Sequence, residues 1–245
     1  MKTISIPFLP SLREPEAKVI AEDFLKKNGV NLTNGKLPID IETLSHRIGH
    51  PVEHFSDLKA NFGCKGTAYN NLTKSRLEIY IDAEHDMTEP SSSRFTIAEE
   101  LAHIIVHKPI FAQVHTPEDR ITLETNTKET TRLVIEKQAK CVASELLLPT
   151  CLFHPYLIEW TKNNLKLIID DRPANSDDLA TFMARKISGE LGLSEFILKR
   201  AILRNAGTDV LDEITKKFDI KYLKDIPRNQ THDISNAFKA RRSKK

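Results

Sequence analysis

Apolar residues recur at helical spacing over 15–27 (PEAKVIAEDFLKK), where Ala17, Ile20, Ala21, Phe24 and Leu25 form one stripe that Asn28-Gly29 ends. Asp40 caps a second, shorter helix, IETLSHRIG. The pattern then turns to strands: PVEHF at 51–55, a Gly-bounded piece around GTAYN, and LEIYID at 77–82 with period-two alternation. Pro90 and the serines after it lead into a helix holding RFTIAEELAHIIVH, residues 94–107. A polar, Thr-rich loop is expected over 108–130, followed by a long helix, TRLVIEKQAKCVASELLL, stopped by Pro149. Helices, strands, then helices again predict an α+β domain over residues 1–150.

The rest of the chain reads as helical. DDLATFMARKISGEL follows Asn175-Ser176, and SEFILKRAILRNAG follows Gly192, so residues 151–207 form an appendage resembling a helix-turn-helix. Any two packed helices look like this, and Arg185, Lys186, Lys199, Arg200 and Arg204 are interleaved with acidic residues, so DNA is not the expected partner. Residues 208–245 supply a last helix and a basic tail, KARRSKK.

The helix at 94–107 has an unusual wheel. Phe95, Ile97, Ala98, Leu101, Ala102, Ile104, Ile105 and Val106 cover most of its circumference. A narrow arc remains for Thr96, Glu99, Glu100, His103 and His107, and no Lys or Arg lies between Phe95 and His107. Such a helix is mostly buried, and buried carboxylates need a positive partner. A divalent cation is one candidate, because Glu99 and His103 sit one turn apart on one side. A salt bridge from Arg94 or Lys140 is the other. Glu136 is the candidate third ligand: it edges the apolar face of the 131–148 helix, where Ala139 and Ala143 permit close approach. His107 lies about 12 Å along the axis from Glu99, too far to share an ion with it, and is expected to interact with the helix C-terminus.

Composition narrows the class. The 245 residues are 40% hydrophobic and 29% charged, with a net charge of +2 that argues neither for nor against nucleic acid. The N-terminal stretch lacks the apolar run of a signal peptide and no membrane span is expected, which reads as cytoplasmic. Cys64, Cys141 and Cys151 offer neither a disulfide framework nor a C-x-x-C pair, and read as small buried or half-buried thiols. No residue is assigned to an organic cofactor.

In these two helical motifs the sequence resembles the ImmA/IrrE-type zinc metallopeptidases. RFTIAEELAHIIVH is similar to that family's R-F-T-x-A-H-E-x-x-H helix except at Glu99, and IEKQAKCVASELLLP resembles its E-x-x-A-N-x-F-A-A-x-L-L-x-P helix. The resemblance spans roughly 15–205. It implies a zincin-like fold with zinc on two histidines and a glutamate, and a role in transcription regulation as a regulatory peptidase or proteolysis-linked switch directed at helix-turn-helix repressor-type proteins. His103 matches the second histidine, Glu136 the glutamate ligand, and Glu100 the general base. Glu99 stands where the first histidine is expected, and Lys140 where an Asn or Asp supports a ligand.

Those two departures set the chemistry. Glu99, His103 and Glu136 would make a divalent site formally neutral and oxygen-rich, which shifts preference from Zn²⁺ toward Mn²⁺ or Fe²⁺. Lys140, one turn from Glu136, is a substitute cation that would leave the site metal-free. Two readings therefore stand: a slow or metal-shifted endopeptidase acting on a regulatory protein, and an inactive zincin-fold relative that binds a partner protein or DNA.

Overall fold

The computed structural model describes residues 4–7, 9, 11–171, 173–204 and 210–222. Helix α1 (Glu14–Lys27) buries the expected stripe through Ala17, Ala21 and Leu25. The Asp40 side chain accepts from the Thr43 N–H and starts α2 (Ile41–Arg47). Then come β1 (Val52–Phe55), α3 (Leu58–Phe62), β2 (Gly66–Asn71), β3 (Arg76–Asp82) and α4 (Ala83–Thr88). The stretch 94–107 lies mostly in α5 (Pro90–Val106), and the second long helix is α8 (Glu129–Leu147). The chain is mixed α+β.

Between those two helices the expected loop is corrected: 108–130 contains α6 (Lys108–Phe111) and α7 (Pro117–Asn126). Thr116 caps α7 by accepting from the Asp119 N–H, Pro117 opens its first turn, and Glu118 and Asp119 complement its positive end. The run is short and poor in apolar residues, so periodicity alone does not reveal it.

The sheet order is β1-β3-β2, with β1 parallel and β2 antiparallel to β3. Leu77, Ile79 and Ile81 alternate into the core, with Val52 and Ala68 both in register with Ile79. Helix α5 lies against β2 and β3 on one side and against α8 on the other. Fully buried Ala98 and Ala102 on α5 and Ala139 and Ala143 on α8 keep that helix pair close. Gly66 allows a similarly close approach of β2: a Cβ there would stand 2.6 Å from Thr96 Cγ2 and 3.3 Å from Glu100 Cγ. An alanine at 66 would push α5 away from the edge strand.

The remaining helices are α9 (Thr150–Asp171, kinked at Asn164), α10 (Ser176–Leu191), α11 (Glu195–Leu203) and α12 (Val210–Lys217). Gly192, left-handed at φ 58°, turns α10 into α11. Two arginines tie this region to the rest. Arg94 at the start of α5 donates to the Leu191 and Gly192 carbonyls at 3.4 and 3.2 Å. Buried Arg204 pairs with Glu145 of α8 at 3.1 Å and donates to the Leu148 carbonyl. The expected basic tail lies outside the described residues. Among the described residues, no single helix is long and apolar enough to cross a membrane.

Candidate metal centre

The polar arc of α5 points between β2 and α8. Glu100, His103 and His107 are buried and Glu99 is mostly so, because the helix is covered on both sides. Glu136 comes from the facing side of α8. One ligand atom from each of Glu99, His103 and Glu136 can be chosen so that all lie within 4.8 Å of one another. His103 Nε2 stands 3.8 Å from Glu136 Oε1.

The protonation of His103 follows from its neighbours. Burial pushes both His103 and His107 below the usual histidine range, so both are neutral near pH 7. His107 Nε2 lies 2.9 Å from Gln138 Oε1, and since that oxygen only accepts, His107 Nε2–H donates. His107 Nδ1 is then bare and accepts from His103 Nδ1–H at 3.1 Å. This leaves His103 Nε2 with a free lone pair directed toward Glu136. A lone pair and a carboxylate oxygen 3.8 Å apart repel unless a cation stands between them. The donor set therefore fits a divalent ion.

The carboxyl groups carry the same message. Burial pushes Glu100 up to about 8, with Arg120 pulling against the rise and Glu99 and Glu136 adding to it. Burial also raises Glu99, opposed by Lys140 and reinforced by Glu136. Three crowded carboxyls ionise together only if positive charge is supplied. Lys140 supplies part of it: its Nζ lies 3.6 Å from Glu99 Oε1. Glu100 is held apart from this group. Its Oε2 accepts from the Ala68 N–H on the edge strand at 2.7 Å, the contact that Gly66 makes room for.

Three expectations need correction. Arg94 does not reach the acidic arc, because its guanidinium is engaged by the α10–α11 turn. The His107 ring does not cap its helix, because burial against α8 gives it His103 and Gln138 as partners instead. Cys151 is exposed rather than buried or half-buried, because it lies on an outward face of the first turn of α9. Cys64 is half-buried, and burial pushes its thiol up to about 11, which keeps it protonated and unreactive near pH 7.

One charged residue of the cleft escaped the sequence reading. Arg120 of α7 is buried, with Nη2 3.1 Å from Glu124 Oε1 and 3.9 Å from Glu136 Oε1. Its guanidinium carbon lies 5.5 Å from the centre of the Phe111 ring, and the same ring packs against His103 at 4.6 Å between centroids. The signal in the sequence is an arginine at the fourth position of a capped helix, which by itself names no partner.

Residues 57–161 match the family model of the IrrE N-terminal-like domain, Peptidase M78. Neither the curated proteins nor the solved structures yielded a significant match. The matched span contains the E-E-x-x-H of α5 and the Glu136 that faces it, so over these residues the chain is similar to the ImmA/IrrE-type family.

Proposed function

We propose that the protein is a metal-dependent endopeptidase of zincin-like build, in which Glu99, His103 and Glu136 hold a divalent cation and Glu100 is the general base. The observation that carries this reading is the convergence of one ligand atom each from Glu99, His103 and Glu136 within 4.8 Å, with His103 Nε2 3.8 Å from Glu136 Oε1. The edge strand beside α5, and α8 crossing behind it, support the zincin-like arrangement. Two oxygens and one nitrogen favour Mn²⁺ or Fe²⁺ alongside Zn²⁺. Such an ion, when bound, supplies Lewis acidity toward water and a peptide carbonyl.

The chain's own residues do the rest. The Ala68 N–H fixes one oxygen of Glu100 and leaves the other, Oε1, to take a proton from the attacking water and pass it to the departing amine. His107 and Gln138 hold the tautomer of His103. The buried face of α5 excludes bulk solvent from Glu100. A repressor-type regulatory protein is the proposed substrate, and that class rests on the family resemblance alone.

A second reading is favoured by one contact. Lys140 already partners Glu99, so a metal-free cleft balanced by this ammonium would leave an inactive relative that binds a partner. Casein hydrolysis by the full chain loaded with Mn²⁺ or Zn²⁺ separates the two. The peptidase reading expects turnover that a chelator stops and that Glu100→Gln lowers by 10²-fold or more, on the order expected for loss of a general base. Turnover unaffected by Glu100→Gln, or none with metal bound, would leave the second reading standing.

A further inference from the structure

We propose that Arg120 is the oxyanion-binding residue of this cleft. Its placement is specific. Glu136 Oε1 lies 3.8 Å from His103 Nε2 and 3.9 Å from Arg120 Nη2, so the guanidinium and the imidazole reach the same carboxylate oxygen. Phe111 carries both groups, with His103 and Arg120 each packed against its ring. That shared ring and the Glu124 contact hold the guanidinium in place before any ligand arrives.

The hydrogen-bonding capacity of Arg120 is largely unused. Both of its carboxylate contacts are made through Nη2. Its Nε is buried without a hydrogen-bond partner. A guanidinium has five N–H donors, and a buried one ordinarily satisfies them. The other cation of the cleft, Lys140, is already engaged with Glu99 and is more exposed. An anion that forms beside His103 and Glu136 lies next to Arg120 Nη2, the guanidinium nitrogen that stands 3.9 Å from Glu136 Oε1.

The proposal takes its substrate, a peptide carbonyl, from the metallopeptidase reading. Water adds to the carbonyl carbon, its oxygen forming the new C–O bond while a proton passes to Glu100 Oε1. The π pair moves onto the carbonyl oxygen, and Arg120 donates to that oxyanion. The pair then returns as the C–N bond breaks, and the amine leaves with the proton from Glu100. A plain structural clamp on Glu124 and Glu136 is the competing role for Arg120. The clamp predicts changes in fold and metal affinity but no preference for a tetrahedral anion.

The test uses the Mn²⁺-loaded full chain as wild type, R120K and R120Q, with N-phosphoryl-Leu-Phe as a tetrahedral anion on a peptide frame. R120Q should lose affinity for this probe by about thirtyfold or more, while its Mn²⁺ affinity and thermal midpoint stay near wild type. On casein its kcat should fall about a hundredfold with KM little changed, and R120K should recover part of both losses. R120Q binding the probe within about threefold of wild type, or keeping its casein kcat within that margin, overturns the proposal. A wild type that hydrolyses no casein refutes the peptidase reading, and probe binding alone then decides the role of Arg120.

Discussion

Lys140 Nζ stands 3.6 Å from Glu99 Oε1, across the gap between α8 and α5. A cation on the ligand helix of Glu136 thus already occupies the residue that replaces the expected first histidine. Metal and ammonium compete for the same carboxylate. The pair is partly exposed, so its own strength is about 1 kcal/mol. Lys140→Asn should therefore raise Mn²⁺ affinity by about fivefold, read by calorimetric titration. Unchanged or weaker affinity would mean that Lys140 helps to hold the site rather than blocking it.

Glu99→His rebuilds H-E-x-x-H with Glu100 and Glu136 in place. Zinc affinity should rise by about tenfold or more and casein turnover should increase, because the donor set becomes softer and the bound ion regains net positive charge. Adding Glu100→Gln should remove that turnover and leave the zinc bound. If the rebuilt protein binds no zinc even with Lys140→Asn, the cleft is organised around ion pairs and the near-intact ligand set is refuted.

Gln138 acts at one remove from the donors. Replacing it with Leu deletes the acceptor that keeps the proton on His107 Nε2, and so frees the His103 tautomer. Metal affinity should fall by about 10–100-fold. In ¹⁵N spectra of the metal-free protein, His103 should lose its strict Nδ1–H form. Wild-type affinity in this variant would show that the imidazole pair needs no such anchor.

Much of the centre was legible from the chain because α5 is apolar nearly all round. On such a helix, Glu99, Glu100 and His103 stand out, and Ala139 and Ala143 mark where α8 comes close. Arg120 and Gln138 were not legible. Helix α7 docks through few apolar residues, and Gln138 matters only because folding places it against His107, 31 residues away in sequence. The direction of the His107 ring likewise depends on a tertiary partner, so a helix-end argument misplaced it.

Glu78 gives a test of the sheet apart from the cleft. Burial alone would raise it, but hydrogen bonds from Asn71, Arg76, Lys74 and Tyr80 outweigh that and pull it down to about 2. A depressed carboxyl contributes stability at pH values above its ordinary 4.5, and that contribution is lost as pH falls toward 2. Its size is on the order of 2 kcal/mol. Urea unfolding of wild type should weaken over that pH window, while Glu78→Gln should be less stable near pH 7 and lose less on acidification. Parallel pH curves for the two proteins would refute this role.

Glu99, His103 and Glu136 are proposed to act together as one ligand set. Titrating chelator-stripped full chain with Mn²⁺, and in parallel with Zn²⁺, measures this directly, with His103→Ala as the comparison. One ion should bind per chain with at least micromolar affinity, and His103→Ala should weaken binding by about a hundredfold or more. Wild type that binds neither ion below about millimolar, or His103→Ala binding as tightly as wild type, would contradict it.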